Sequence, residues 1–328
     1  MTRSRSISIA PSETGVSAGL DGVVAGLLAA APPRAGSLAI TLFGDVVSLQ
    51  GGCVWLGSLV EVMAGFGLNA RQVRTAVFRL ARDGWLAAEQ RGRRSFYRLT
   101  PFGQRHYARA ATRIYAAADP AWDGEWTLVM PGALDTVTRD ELRKRLGWLG
   151  YGALAAGVLA HPRADDAALA DVLDELGLAE RVVSWRARTA NLDPLSDLAG
   201  AAWQLDEAAA RLRVFIERFQ PCADDLETGR IPSPSTAFQL RCLLIHEYRR
   251  ILLRTPDLPA ELLAVDWPGH AARELVAGLY RRLHAAASHH ASAVLCDASG
   301  PLPPPDAAFL GRFGGLAEIA RGSRNVRD

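Results

Sequence analysis

One segment near the N-terminus limits the fold more than any other, because helix, turn and hairpin signals follow one another there without a gap. Ser58 and Glu61 have the spacing of a capping box, which predicts a helix that begins at Ser58. Asn69 and Gln72 predict a second helix, which ends where Gly84 suits a left-handed C-terminal position. Glycines separate the two helices, and two short helices joined by a tight glycine-containing turn are typical of a helix-turn-helix.

Two strand-like runs follow this pair of helices. Residues 85–99 read WLAAEQRGRRSFYRL, in which Gly92 marks the turn of a hairpin with a basic tip. A helical stretch at residues 37–47 and a short apolar run from Cys53 precede the helix pair. Helix, short strand, helix, helix and hairpin is the order of a winged helix. We therefore predict an N-terminal winged helix-turn-helix domain over residues 34–118.

The charge is unevenly divided along the chain. Residues 69–99 carry eight arginines against only two acids, Asp83 and Glu89. Twelve arginines and four acids give residues 34–118 a net charge of +8, whereas 23 basic and 29 acidic residues give residues 119–328 a net charge of −6. The whole chain carries only +2. This asymmetry predicts a polyanionic partner for the N-terminal part, here double-stranded DNA.

The second helix of this domain has two different faces. Val73, Val77 (or Ala76) and Leu80 recur at intervals of three and four residues and point into the domain, so the arginines between them point away. The N-terminal part of such a helix enters the major groove, where an arginine can bind O6 and N7 of guanine. A hairpin tip has no core beside it, so its arginines are predicted to contact phosphates or the minor groove. The predicted DNA contacts are Arg71, Arg74 and Thr75 with base edges, Arg79 and Arg82 with phosphates, and Arg91, Arg93 and Arg94 from the hairpin.

Two further domains are predicted after the winged helix. Residues 119–195 alternate strand-like and helical runs in the order β-α-β-α-β, which predicts a ferredoxin-like α+β middle domain; residues 152–160 fit one strand or two. Residues 196–298 keep a 3.6-residue apolar period, which predicts a helical C-terminal domain. The fold class is therefore α+β multidomain. Residues 1–33 are predicted to be a disordered tail, and residues 299–328 a loosely packed one.

The composition argues against several other classes of protein. The four cysteines lie too far apart for a CxxC pair, which is typical of reduced thiols in a cytoplasmic protein. The apolar run at residues 19–33 is broken by Asp21 and Pro32 and is too short to span a bilayer. The chain has no Gly-rich phosphate loop, nucleophile elbow, catalytic triad signature or metal-ligand spacing. We therefore predict that it is not an enzyme and uses no cofactor or metal.

A basic cluster lies in the C-terminal half, where residues 246–263 read HEYRRILLRTPDLPAELL. His246, Arg249, Arg250 and Arg254 fall within three helical turns. These side chains are candidates for binding an anionic effector. Buried ion pairing between helices explains them equally well.

Three long motifs carry a resemblance to a known family. They read SLAITLFGDVV, then GGCVWLGSLVEVMAGFGLNARQVRTAVFRLARDGWLAAEQRGRRSFYRLT, and finally HEYRRILLRTPDLPAELLAVDWPG. From about Arg34 to about His290 the chain resembles the PaaX family, bacterial repressors of phenylacetic acid catabolism. The resemblance implies a winged helix, a middle domain similar to a small CRISPR-associated ferredoxin-like nuclease, and a helical C-terminal domain. It also implies a homodimer that binds palindromic operators and leaves DNA on binding an aryl-CoA thioester such as phenylacetyl-CoA.

Two other functions remain open at this point. In one, the middle domain is a metal-dependent nuclease of DNA or RNA. Nucleases of that fold have a catalytic aspartate just after the first strand, whereas residues 131–133 here read Pro-Gly-Ala, which argues against cleavage. In the other, the chain binds or hydrolyses an acyl-CoA without any role on DNA. The salt dependence of DNA binding would distinguish that case, because the affinity of a DNA-binding protein for DNA falls steeply as the salt concentration rises.

Overall fold

The computed structural model describes residues 19–117, 121–189, 193–255 and 257–316. Within these residues the chain forms helices and two small antiparallel sheets, one of three strands and one of four. The mixed helix and sheet class predicted from the sequence is therefore confirmed. No helix in the described residues is both long and apolar enough to cross a membrane.

The N-terminal part contains the three-stranded sheet and five helices. Its elements are α1 (Leu20–Ala30), α2 (Ala35–Asp45), β1 (Cys53–Trp55), α3 (Leu56–Ala64), α4 (Ala70–Arg82), β2 (Leu86–Arg91), β3 (Arg94–Leu99) and α5 (Pro101–Ile114). The strand order is β1-β3-β2, so β3 is central. Trp55 on β1 lies opposite Phe96 on β3, and Arg91 lies opposite Arg94 at the end of the hairpin.

The helix signals of this part have mixed outcomes. The Asn69 cap is confirmed: its side chain accepts a hydrogen bond from the Gln72 amide at 3.0 Å, and the Gln72 side chain accepts from the Asn69 amide at 2.9 Å. Gly84 has the expected positive φ of 77°. The predicted start of α3 at Ser58 is wrong. The helix begins at Leu56, because the Ser58 hydroxyl donates back to the Trp55 carbonyl instead of capping amides ahead of it.

The middle part folds around the four-stranded sheet. Its elements are β4 (Glu125–Pro131), α6 (Thr136–Trp148), β5 (Gly152–Ala155), β6 (Val158–His161), α7 (Asp166–Glu175) and β7 (Val182–Arg188). The strand order is β5-β6-β4-β7, and residues 152–161 form two strands rather than one. This β-α-β-β-α-β succession is that of a ferredoxin-like sandwich. Both helices pack on one face of the sheet, through Leu142 and Leu146 of α6 and Leu169 and Leu173 of α7.

The C-terminal part is helical. Its elements are α8 (Asp193–Trp203), α9 (Leu205–Glu227), α10 (Pro234–Leu252), α11 (Pro268–Val294) and α12 (Ala307–Leu310). Helix α10 packs against α11 and α9 and also against α2. One continuous core therefore joins the N-terminal and C-terminal parts, with Leu42 of α2, Val73 of α4, Leu244 of α10 and Tyr280 of α11 in the same cluster.

The two predicted tails are packed more tightly than expected. The buried side chains in their described portions are Leu20, Val24, Leu27, Leu302, Phe309, Phe313 and Leu316. The prediction of disorder through residue 33 and of loose packing from residue 299 is therefore wrong for these portions, because their apolar side chains complete the shared core. Residues 1–18 and 317–328, and the predicted boundary at residues 118–119, lie outside the described residues.

A buried charged cluster lies where α2, α10, α11 and the C-terminal segment meet. Asp45 Oδ1 accepts hydrogen bonds from the hydroxyls of Tyr115 (2.7 Å) and Tyr280 (2.9 Å) and from the Arg312 guanidinium (2.7 Å). Asp45 Oδ2 lies 3.1 Å from Nε of the fully buried Arg241. Burial by itself raises the pKa of the Asp45 carboxyl, but the two guanidiniums and the two tyrosine hydrogen bonds together outweigh burial and hold the pKa below its ordinary value. The cluster therefore keeps its negative charge inside the core.

Candidate nucleic-acid interface

Helix α4 is fixed to the protein through one face. Val73 and Val77 are fully buried, and Leu80 packs against the same core. The helix contacts both α2 and α3. Since successive residues of a helix turn by about 100°, this contact leaves the opposite side of α4 in solvent. The predicted division of α4 into two faces is therefore confirmed.

The exposed side of α4, here called the outer face, presents mostly basic residues. Its members are Arg71, Arg74, Thr75, Phe78, Arg79 and Arg82, all of them exposed. Arg82 pairs with its neighbour Asp83 at 3.2 Å. Elsewhere on the outer face, no carboxylate of a described residue lies within ion-pair distance of Arg71, Arg74 or Arg79. These three guanidiniums have their donors available for an external anion.

The hairpin places three more arginines beside α4. The Arg94 guanidinium lies over the Trp55 ring of β1, 4.8 Å from its centroid, which stiffens the base of the tip. Arg91 donates to Glu89 at 2.6 Å, and this hydrogen bond raises the pKa of Arg91. Arg93, at the turn itself, is exposed and has no carboxylate of the described chain within ion-pair distance. At the tip, side-chain contacts therefore hold Arg91 and Arg94 in place, whereas Arg93 has no ion-pair partner among the described residues.

The hairpin is anchored on the side away from its tip. Phe96 is buried, and Trp85 packs partly against the core. The Thr100 hydroxyl donates to the Gly84 carbonyl and accepts from the Gly103 amide at 3.0 Å, which ties the end of β3 to the start of α5. The basic tip therefore has a fixed position relative to α4.

Two residues of this interface were not among the predicted contacts. Phe78 is 65% exposed although it is a large apolar side chain, and the signal that could have identified it is its place between arginines on the polar face. Trp55 supports Arg94 from another strand. Residue spacing alone could not have paired them, because the contact depends on strand register.

The four predicted effector residues do not form one site. His246 is buried, and its Nδ1 lies 3.1 Å from the Thr41 hydroxyl of α2. Arg249 is also buried and donates to the Ser37 carbonyl of α2 at 3.1 Å. These two side chains hold α10 to α2 and do not face solvent beside the other two candidates. The reason is that a helix packed on several sides turns only part of a basic cluster to solvent.

The remaining two effector candidates are exposed. Arg250 and Arg254 line a groove of about 360 Å³ between α9 and α10, together with Arg211 and Arg218, which pair with Glu207 and Glu247 of the same groove. Arg254 also lines a larger cleft of about 790 Å³ between α5 and the middle part, to which Arg109 contributes. Both cavities are therefore bordered by guanidinium groups.

The buried His246 leads to a prediction about stability. Burial, then the charges of Arg249 and Arg250, lower the pKa of His246 to about 3. Only the unfolded chain takes up this proton as pH falls below about 6.5, so His246 alone is expected to lower the unfolding free energy by up to about 1.4 kcal/mol per pH unit. Urea unfolding between pH 7.5 and 5 measures this slope.

A matched pair of variants isolates the contribution of His246. His246→Gln is expected to reduce the slope, and the remaining slope is assigned in part to His161, whose pKa burial lowers to about 4. His106→Gln, at an exposed position of α5, is expected to keep the parent slope. An unchanged slope in His246→Gln would contradict the prediction.

Asp123 and Asp135, the aspartates on either side of β4, have local structural partners. Asp123 accepts from the Glu125 amide at 2.9 Å, and Asp135 caps α6 by accepting from the Thr138 amide at 3.0 Å. Residues 131–133, where the missing catalytic aspartate would lie, are the last residue of β4 and the two residues that follow it. Among the described residues, no three His, Cys, Asp or Glu side chains are grouped so that they could hold a metal ion.

Comparison with known proteins matches all three parts of the chain. Residues 34–103 match the family model described as PaaX-like protein, residues 119–199 the PaaX protein central Cas2-like domain, and residues 203–293 the PaaX-like protein C-terminal domain. The chain is 40% identical over 306 residues to Transcriptional repressor PaaX of Escherichia coli K12, which covers 90% of this chain and 95% of that protein. A solved structure of an uncharacterized protein from Mycobacterium tuberculosis is 24% identical, with a TM-score of 0.45, over 82% of this chain and 98% of that one.

A basic helix and hairpin, in a chain that matches a repressor over nearly its whole length, define the class of protein: a transcriptional repressor. The extent of that match and the three family models identify the family. The chain belongs to the PaaX family. The nuclease alternative is not favoured by these matches.

Proposed function

We propose that this repressor binds double-stranded operator DNA through a winged helix, in which α4 is the reading helix and the β2–β3 hairpin is the wing. The observation that carries the proposal is the outer face of α4, where three of the four arginines have no ion-pair partner among the described residues and lie opposite a fully buried valine face. Arg71, Arg74 and Thr75, near the start of α4, are assigned to base edges. The remaining arginines of the outer face and those of the hairpin are assigned to phosphates or the minor groove.

The proposed regulator is a cytoplasmic homodimer. A two-fold dimer presents two copies of α4 to two half-sites about one helical turn of DNA apart, so its operator is a palindrome. The PaaX family resemblance supports an operon for the catabolism of an aromatic acid of the phenylacetate type as its target. Release of the repressor from its operator is then the response to the presence of the aromatic acid.

The proposed effector is an aryl-CoA thioester such as phenylacetyl-CoA. Such a ligand carries several phosphate charges, which suits the guanidinium-bordered cavities at Arg250 and Arg254. The effector would favour a dimer geometry whose two reading helices no longer match successive half-sites. Its binding free energy must differ between the two geometries, since otherwise no population shift follows.

A gel-shift assay on the DNA upstream of the gene and its neighbours tests the proposal. The full chain is expected to retard a discrete fragment, and one of several aryl-CoA compounds is expected to release it. Arg254→Glu is the matched variant, and it is expected to bind the fragment but to need more thioester for release. Release by none of the compounds would remove the effector, whereas no retardation at any salt concentration would remove the DNA-binding function itself.

The salt dependence of binding gives a separate prediction for the hairpin. If Arg93 contacts a phosphate, Arg93→Ala is expected to reduce the slope of log K against log salt by about 1 per half-site, and to weaken binding equally on all sequences. The control is Arg109→Ala, an exposed arginine of α5 outside the interface, which is expected to keep the parent slope. A parent slope in Arg93→Ala would show that the tip does not contact the backbone.

A further inference from the structure

The outer face of α4 contains one large apolar side chain that the charge argument leaves unexplained. Phe78 is 65% exposed, and it follows Arg71 by seven residues. Seven steps of a helix bring a residue back to within about 20° of the starting direction. Phe78 therefore points to the same side as Arg71 and away from the buried Val73.

The described structure offers Phe78 no packing partner. No ring of a described residue stacks on it, and it is not among the partly buried side chains that pack against the core. The exposed Phe102 of α5 is different, because its ring packs against Trp85 and His106. The exposure of Phe102 is thus explained inside the protein, whereas that of Phe78 is not.

The position of Phe78 fits a contact with a base. Arg71, Arg74, Thr75 and Phe78 have the spacing i, i+3, i+4, i+7, by which a helix in the major groove presents side chains to base edges. Phe78 lies about 10 Å beyond Arg71 along the helix axis, which corresponds to about three base pairs.

A phenyl ring neither donates nor accepts a conventional hydrogen bond, so it cannot read the polar groups of a base edge. The only apolar group that a base pair displays in the major groove is the 5-methyl group of thymine. We propose that Phe78 is a specificity-determining residue that recognises a thymine methyl group, about three base pairs from the position read by Arg71. This inference rests on the proposed function, since it requires α4 to lie in the major groove.

The test removes the methyl group and the ring separately. Duplexes that bind the full-length protein are selected from a random pool, and each thymine is then replaced in turn by uracil, which lacks only the 5-methyl group. One position per half-site is expected to weaken binding of the parent protein about fourfold. Phe78→Ala is expected to bind the thymine and uracil duplexes equally, with an affinity close to that of the parent for uracil.

Two further variants serve as controls. Phe102→Ala is expected to keep the parent's penalty for uracil, because its ring lies on α5. Phe78→Leu keeps an apolar contact and is expected to retain part of the penalty. Urea unfolding of all variants checks that each is folded, and Phe78→Ala is expected to unfold like the parent because the side chain is exposed.

Several outcomes would overturn the inference. An equal uracil penalty in Phe78→Ala and the parent would mean that another group reads the methyl, and no penalty at any position would mean that none is read. A change in sedimentation of Phe78→Ala without DNA would assign Phe78 to a contact between protein copies. Selection of no duplex by the parent would instead refute the proposed DNA-binding function, which separates the two failures.

Discussion

Asp45→Ala is expected to lose about 3–5 kcal/mol of unfolding free energy. The change leaves Arg241 and Arg312 in the core without their carboxylate, and it removes the acceptor of two tyrosine hydroxyls. Since a whole domain has only about 5–15 kcal/mol of stability, we expect a large drop in the urea midpoint. Destabilisation is expected at both ends of the chain, because the cluster joins α2 to α10 and to the C-terminal segment.

Two further variants test the physical reason for this loss. Asp83→Ala removes an exposed carboxylate beside Arg82 and is expected to change the unfolding free energy by less than about 0.5 kcal/mol. Asp45→Ala combined with Arg312→Ala is expected to cost less than the sum of the single changes, since the second change removes one stranded charge. An Asp45→Ala protein within about 1 kcal/mol of the parent would contradict this account of the cluster.

Arg74→Ala is expected to weaken discrimination between the operator and other DNA. A bidentate contact with guanine contributes about 1–3 kcal/mol, so affinity for the operator is expected to fall about 5- to 140-fold per half-site. Affinity for unrelated DNA is expected to change little, because the phosphate contacts remain. Parallel titrations of operator and scrambled duplexes at one salt concentration measure both quantities.

Arg74→Lys is the matched control for this prediction. Lysine keeps the positive charge but lacks the planar fork that binds two acceptors of guanine, so selectivity is expected to fall while overall affinity is largely kept. Arg82→Ala is expected to weaken binding equally on all sequences. If Arg74→Ala binds and discriminates operator DNA as the parent does, the assignment of Arg74 to a base edge is wrong.

The parts of the fold that the sequence predicted well depend on signals between near neighbours. The cap formed by Asn69 and Gln72 spans three residues, and the hairpin follows from alternation on either side of Gly92. The outer face of α4 follows from helical spacing alone. Such patterns determine local geometry whatever the rest of the chain does.

The features that the sequence could not predict depend on contacts between distant residues. Tertiary packing brings Asp45 into contact with Tyr115, Arg241, Tyr280 and Arg312. No local sequence pattern identifies Asp45 as a buried charge. The basic cluster on α10 is split for the same reason. Contact with α2 buries His246 and Arg249, whereas Arg250 and Arg254 stay exposed. Ser58 is a smaller example. Its hydroxyl could have capped the helix amides ahead of it, but it donates to the Trp55 carbonyl behind it.

The buried cluster also affects how the protein is made. Asp45 and Arg312 are 267 residues apart in the chain. At about 5–20 residues per second, a ribosome adds Arg312 about 13 to 53 seconds after Asp45. Throughout that interval the nascent N-terminal part lacks the guanidinium that completes its core, so final consolidation must wait until synthesis is almost complete. A chain that ends before Arg312 therefore lacks one of the two guanidiniums that pair with Asp45 in the core.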